Sequence, residues 1–159
     1  VIIGEGHSPE HVCLLCKSLN IMIAGDQILP RISPNVGVRP NEPDANPLKD
    51  WLQSCESFKN KLDKDVLILP SHGDPFYGAH LRLQEMIDEH KAGLKDLYDF
   101  CSEPRSVTDA FPVLFKSKIN SGNMVIAVGE ALANLNHLVA SKDLEVDTCN
   151  GGIAKYKQT

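Results

Sequence analysis

The sequence predicts an α/β fold over its first half and a mostly helical segment after it. Two observations carry the first half. Four short apolar runs, each closed by glycine, proline or a polar turn, have the length of strands, and one amphipathic run of helical period stands between the third and the fourth. A third observation carries the second half: beyond residue 78 the apolar residues recur at three- and four-residue steps over long stretches.

The elements follow in order. Residues 1–3 read as the end of a strand, "HVCLLC" as a second, buried strand, and "NIMIAGD" as a third, stopped by Gly25. Residues 27–47 hold five prolines and no period, which predicts a long loop, and long loops in compact domains are usually functional. In "PLKDWLQSCESFKNKL", Leu48, Trp51, Leu52, Cys55, Phe58 and Leu62 form one helical face. "DVLILP" is a continuous apolar strand of the kind buried on both faces, and the loop "SHGDP" follows it. Next, "AHLRLQEMIDEHKAGLKDLYDF" places Leu83, Met86, Ile87, His90, Leu94, Leu97 and Tyr98 on one face of a long helix. Ser106 and Asp109 have capping-box spacing, and Pro112 keeps the helix they open short. "NMVIAVGEALANLNHLVAS" is a further helix, and "LEVDTCNGGIAKYK" is two strand-like arms around an Asn150-Gly151 turn. Helices followed by a hairpin make a winged-helix outline. The expected domains are 1–78 and 79–159.

Composition narrows the function. An apolar fraction of 42% supports a real core. A net charge of −5 gives no electrostatic reason to expect nucleic acid or an anionic membrane, and no apolar run reaches the length of a bilayer span. Residues 103–159 carry six basic side chains (Arg105, Lys116, Lys118, Lys142, Lys155, Lys157) and six acidic ones (Glu103, Asp109, Glu130, Asp143, Glu145, Asp147), so the winged-helix outline lacks the excess of cations that phosphate contacts need. Five cysteines at irregular spacing (Cys13, Cys16, Cys55, Cys101, Cys149) argue against a disulfide framework and for reduced thiols in the cytoplasm. Cys13 and Cys16 lack the second pair of a zinc ribbon and read as small buried hydrophobes.

Three loop residues carry the chemistry. His7 in "GHSPEH", Asp26 in "IAGDQ" and His72 in "PSHGDP" each follow a strand-like run. Imidazole and carboxylate together suit zinc, iron or manganese, and ligand sites in α/β folds gather at strand ends. Taken singly each is an ordinary turn residue; their order and spacing set them apart. His11 reads as a supporting or strand-start residue, since an extended segment points its ring away from His7. Arg31 and Asn35 lie in the proline-rich loop after Asp26, within reach of a substrate but with solvation as the default, and Tyr77, just after the third motif, lines the pocket or simply packs. His80, His90 and His137 sit on predicted helices, and His90 reads as a core histidine.

"GHSPEHVCLL", "IMIAGD" and "VLILPSHGDP" resemble the last three metal-binding motifs of the metallo-β-lactamase superfamily, and within it the glyoxalase II-like hydrolases. The resemblance covers residues 1 to about 78. "HLRLQEMIDEHK" and "GEALANLNHLVASKDLEV" resemble the branch with a C-terminal winged-helix-like domain. The resemblance implies the C-terminal part of an αβ/βα sandwich followed by that helical domain. It also implies that His7 binds a first metal, Asp26 bridges two, and His72 binds the second. Two zinc ions are expected in the full-length protein, with iron or manganese as alternatives. The earlier H-x-H-x-D-H motif of the superfamily does not occur here, so the chain is expected to be a C-terminal fragment, inactive by itself, that pairs with the missing N-terminal half or with another copy. The activity implied is hydrolysis of a small-molecule ester-like bond, thioester or lactone, by metal-bound hydroxide; no residue is assigned as catalytic. Phosphodiester cleavage in RNA is the alternative within the superfamily, and a non-catalytic, protein-binding winged-helix module is the alternative outside it. No membrane or nucleic-acid partner is expected.

Overall fold

The computed structural model of the chain describes residues 1–148 and 152–159. The expected Asn150-Gly151 turn and Cys149 lie outside the described residues. By contact the chain forms two compact units that interleave along the sequence, Val1–Val36 with Lys49–Glu89, and Gly37–Leu48 with His90–Thr159. The sequence suggests consecutive segments instead, because neither a 22-residue helix nor a proline-rich loop announces where its contacts change.

The first unit is built on a four-stranded sheet of order β1-β2-β3-β4, with β1 Ile2–Gly4, β2 His11–Cys16, β3 Ile21–Gly25 and β4 Leu67–Pro70. β1 pairs with β2 and β2 with β3 antiparallel, while β3 and β4 are parallel. β1, β3 and β4 therefore run in one direction, and their carboxyl ends lie at one edge of the sheet, together with the start of β2. The register places Cys13, Met22, Ala24 and Ile68 on the buried side, each fully buried.

Helix α1, Pro47–Lys61, forms where the apolar period foretells it. Trp51, Cys55 and Phe58 are fully buried. Its register against the first strand is set at Gly6, whose φ of +101° suits glycine and where a Cβ would lie 2.5–2.7 Å from Trp51 atoms. Ser54 Oγ accepts from the Glu5 N–H at 2.8 Å. Helix α2, Ala79–Phe100, buries Leu83, Met86 and Ile87. The nearly buried Arg82 uses its Nε to donate to the Leu29 carbonyl at 2.8 Å, which fixes the segment leaving β3.

Two expectations are corrected. "HVCLLC" and "DVLILP" are strands, but neither is buried on both faces. Ile3, Val12, Leu14 and Ile23 share the other side of the sheet and are 44–56% exposed, and Leu67 and Leu69 there are half-buried. Cys16 is exposed, not a small buried hydrophobe; in a strand, residues three apart face opposite sides, so Cys13 and Cys16 cannot both point into one core.

The second unit contains the end of α2, the short α3 Phe111–Leu114 with Pro112 in its first turn, α4 Met124–Ala140, and an antiparallel pair, β5 Leu144–Asp147 and β6 Lys155–Gln158. The spacing of Ser106 and Asp109 makes half of a capping box: the Ser106 N–H and Oγ–H both donate to Asp109 Oδ2, at 2.8 and 2.7 Å, while the Asp109 N–H goes to the Ser106 carbonyl and not to its hydroxyl. Residues 37–48 lie along α4. Val38 N–H donates to the Gly129 carbonyl at 2.9 Å, and Asn136 Nδ2 donates to the Pro43 and Ala45 carbonyls, each at 2.9 Å. Among the described residues no helix is long and apolar enough to cross a membrane.

Candidate metal centre

Strand direction alone gathers the candidates. The turn after β1 carries His7, the turn after β3 carries Asp26, and the loop after β4 carries His72, all at the same sheet edge. Each loop is held locally. Gly25 takes φ +56°, and the Gln27 N–H donates to the Ala24 carbonyl at 3.0 Å, so Asp26 sits in a tight turn. The His72 loop folds back on β4 through paired bonds between Ile68 and Phe76, at 2.8 and 3.0 Å. The Ser71 N–H ties it to the Gly25 carbonyl at 3.0 Å.

The structure brings the three predicted residues together. Asp26 Oδ2 lies 3.5 Å from His7 Nε2, and Asp26 Oδ1 lies 3.4 Å from His72 Nε2. One carboxylate thus presents one oxygen to each imidazole. Two ligands at about 2.0–2.1 Å from a tetrahedral ion are about 3.3–3.4 Å apart. Each His–Asp pair has the span of one edge of such a site. Among the described residues no three His, Cys, Asp or Glu side chains gather around a single point. The carboxylate of Asp26 thus stands between the two imidazoles, one oxygen facing each.

The tautomer of His7 suits this use. Its Nδ1 lies 2.8 Å from the Asn35 carbonyl oxygen, which only accepts, so Nδ1 carries a proton and donates there while Nε2 faces Asp26. His7 and Asp26 are about one-quarter exposed, and His72 is two-thirds exposed. Beside His72 an open cleft of about 220 Å³ is lined by Pro30, Arg31, Ile32, Gly73 and Asp74.

His11 is the first residue of β2, at the same edge, and its Nε2 accepts the Asp26 N–H at 3.1 Å. Ser71 Oγ–H donates to Asp26 Oδ1. The sequence offers no reason to single out Ser71 beyond its place next to His72, because its partner is 45 residues away. Asn35 contributes its backbone oxygen, which side-chain reasoning does not detect. His80, His90 and His137 lie on helices as expected; His137 Nδ1 is 3.2 Å from Asn46 Oδ1.

Residues 94–159 match the family described as metallo-beta-lactamase-like, C-terminal domain. A beta-lactamase domain protein from Burkholderia ambifaria has a similar solved structure. It is 37% identical with a TM-score of 0.95, and the match covers all of this chain and 47% of that one. A metallo-beta-lactamase family protein from Thermus thermophilus shares the fold at 24% identity and a TM-score of 0.85, over all of this chain and 48% of that one. The chain thus spans about half the length of these structures. None of the curated proteins compared matches it. The family match and the two folds support the metallo-β-lactamase superfamily.

Proposed function

We propose that this chain supplies part of the two-metal centre of a metallo-β-lactamase superfamily hydrolase that cuts a small-molecule ester-like bond, thioester or lactone. The observation that carries the reading is the Asp26 carboxylate, with one oxygen 3.5 Å from His7 Nε2 and the other 3.4 Å from His72 Nε2. His7, Asp26 and His72 hold the ions, zinc first by ligand type, with iron or manganese as alternatives. When bound, such a pair supplies an activated water at neutral pH and stabilises charge developing on the attacked carbonyl oxygen. The chain's own residues orient: His7 is fixed through Asn35, Asp26 spans the two positions, and the cleft beside His72 receives the flank of the substrate. With two ligands per ion the centre is incomplete within these 159 residues, so activity is expected only where further ligands join it. The glyoxalase II-like assignment, the winged-helix-like reading of residues 79–159, and a cytoplasmic setting for the four described free thiols belong to the same proposal.

The test is zinc content and hydrolysis by the full protein, measured on thioester, lactone and phosphodiester substrates before and after chelation. Chelator-sensitive thioester or lactone hydrolysis supports the reading. Phosphodiester cleavage alone moves it to the nuclease branch. Absence of bound metal together with absence of hydrolysis overturns it.

A further inference from the structure

The backbone N–H of Asp26 donates to His11 Nε2 at 3.1 Å. That bond decides the tautomer: a nitrogen accepting from an amide carries no proton, so the proton of the neutral ring is on Nδ1. Nδ1 lies 3.3 Å from Ser8 Oγ, which accepts it. The ring is seated as well as bonded. It lies against Gly25, where a Cβ would stand 2.4 Å from Nε2, and it meets the His7 ring edge-on at a centroid distance of 5.8 Å. On the other side, Ser71 Oγ–H occupies one lone pair of Asp26 Oδ1, the oxygen that faces His72. Asp26 is therefore gripped twice, at its main chain from the start of β2 and at its carboxylate from the loop after β4.

A carboxylate that serves two ions must keep one oxygen on each. Rotation about either side-chain bond of Asp26 loses one of them. Fixing the amide sets the direction of the Cα–Cβ bond, and fixing Oδ1 sets the carboxylate plane while leaving that oxygen a second lone pair. Neither His11 nor Ser71 is placed as a ligand. We propose that His11, as the Nδ1–H tautomer, and Ser71 are positioning residues that aim the Asp26 carboxylate between His7 and His72. The proposal rests on the metal-binding reading of that site.

Cobalt(II) titration of the full protein, followed by its visible absorption bands, tests it together with long-range proton–nitrogen NMR of the histidine rings in metal-free protein. His11→Phe keeps a ring and removes the acceptor; Ser71→Ala removes the donor. Each is expected to weaken cobalt binding about 10- to 100-fold, the usual cost of losing a group that orients a ligand. His11→Gln, which restores an acceptor near the position of Nε2, and Ser71→Thr are expected to recover most of the loss. The NMR spectrum is expected to show His11 protonated on Nδ1, a result that needs no variant to fold. An Nε2–H tautomer, or cobalt affinity in His11→Phe equal to the unaltered protein, overturns the proposal alone. No cobalt uptake by the unaltered protein overturns the metal-binding reading beneath it.

Discussion

His7 Nδ1 and the Asn35 carbonyl oxygen are 2.8 Å apart, and this contact turns His7 Nε2 toward Asp26. Because the acceptor is main chain, the side chain of Asn35 is not what orients the ring. His7→Ala is expected to lower metal affinity at least about 10-fold, and Asn35→Ala clearly less. Isothermal titration with zinc on both variants checks the order; equal losses would show that the Asn35 side chain, not its carbonyl, matters to the site.

Gly6 links the site to the core. It precedes His7, holds φ at +101°, and leaves no room for a Cβ against the Trp51 backbone. Gly6→Ala is expected to cost about 1–3 kcal/mol through overlap and the left-handed conformation, and to weaken metal binding by displacing His7. Phe58→Ala, fully buried on the same helix and remote in sequence from the motifs, is expected to cost about 3–5 kcal/mol. Urea unfolding with parallel metal titration separates the two: a Gly6→Ala protein with unchanged metal affinity would break the proposed link.

The exposed side of the sheet offers a third test. Ile3, Val12, Leu14 and Ile23, 44–56% exposed, form an apolar surface on adjacent strands. Such surfaces associate. The 159-residue chain is expected to self-associate in sedimentation, and Leu14→Lys to shift it toward monomer without loss of the helical circular dichroism signal. A chain that is monomeric at high concentration with all four residues intact would contradict this.

The cysteines differ by position. The Cys16 thiol is exposed and held below the ordinary thiol range by the Ser18 hydroxyl, whereas burial pushes Cys13 and Cys55 up to about 12. A lowered value means thiolate at lower pH. Iodoacetamide labelling of Cys16 is therefore expected to rise and level off at lower pH than a free cysteine does. Cys13 and Cys55 should stay unlabelled in the folded protein until strongly alkaline conditions. Peptide mapping by mass spectrometry reads each site; early labelling of Cys13 would refute the burial argument.

Much of this was legible in the sequence, for physical reasons that also mark where legibility stopped. Leu48, Trp51, Cys55 and Phe58 declare α1 because a helix repeats its buried face every three to four residues. The three candidate residues could be singled out because each lies in the turn or loop that follows a strand. "HVCLLC" misleads because an apolar residue on an uncovered face has the same letter as one in a core. The bond from Ser71 to Asp26 spans 45 residues, and that from Asn136 to Ala45 spans 91, so no local period records either. The same holds for the division of the proline-rich loop, whose residues 37–48 pair with α4.

The last prediction concerns nucleic acid. The hairpin strands β5 and β6 and the helices before them carry equal numbers of basic and acidic residues from 103 onward, six of each. One cation there is already committed, since Lys155 Nζ lies 3.5 Å from Asp109 Oδ2. Roughly six to ten phosphate contacts, the number that makes binding fall steeply with salt, would need more cations than the five that remain. Binding to duplex DNA is expected to be no tighter than the non-specific range, about 10⁻⁴ to 10⁻⁶ M at physiological salt. Fluorescence titration with labelled duplex at two salt concentrations decides it. Tight binding with a steep salt slope would mean that the balanced total conceals a basic face, and would favour the nuclease branch over the ester-cleaving one.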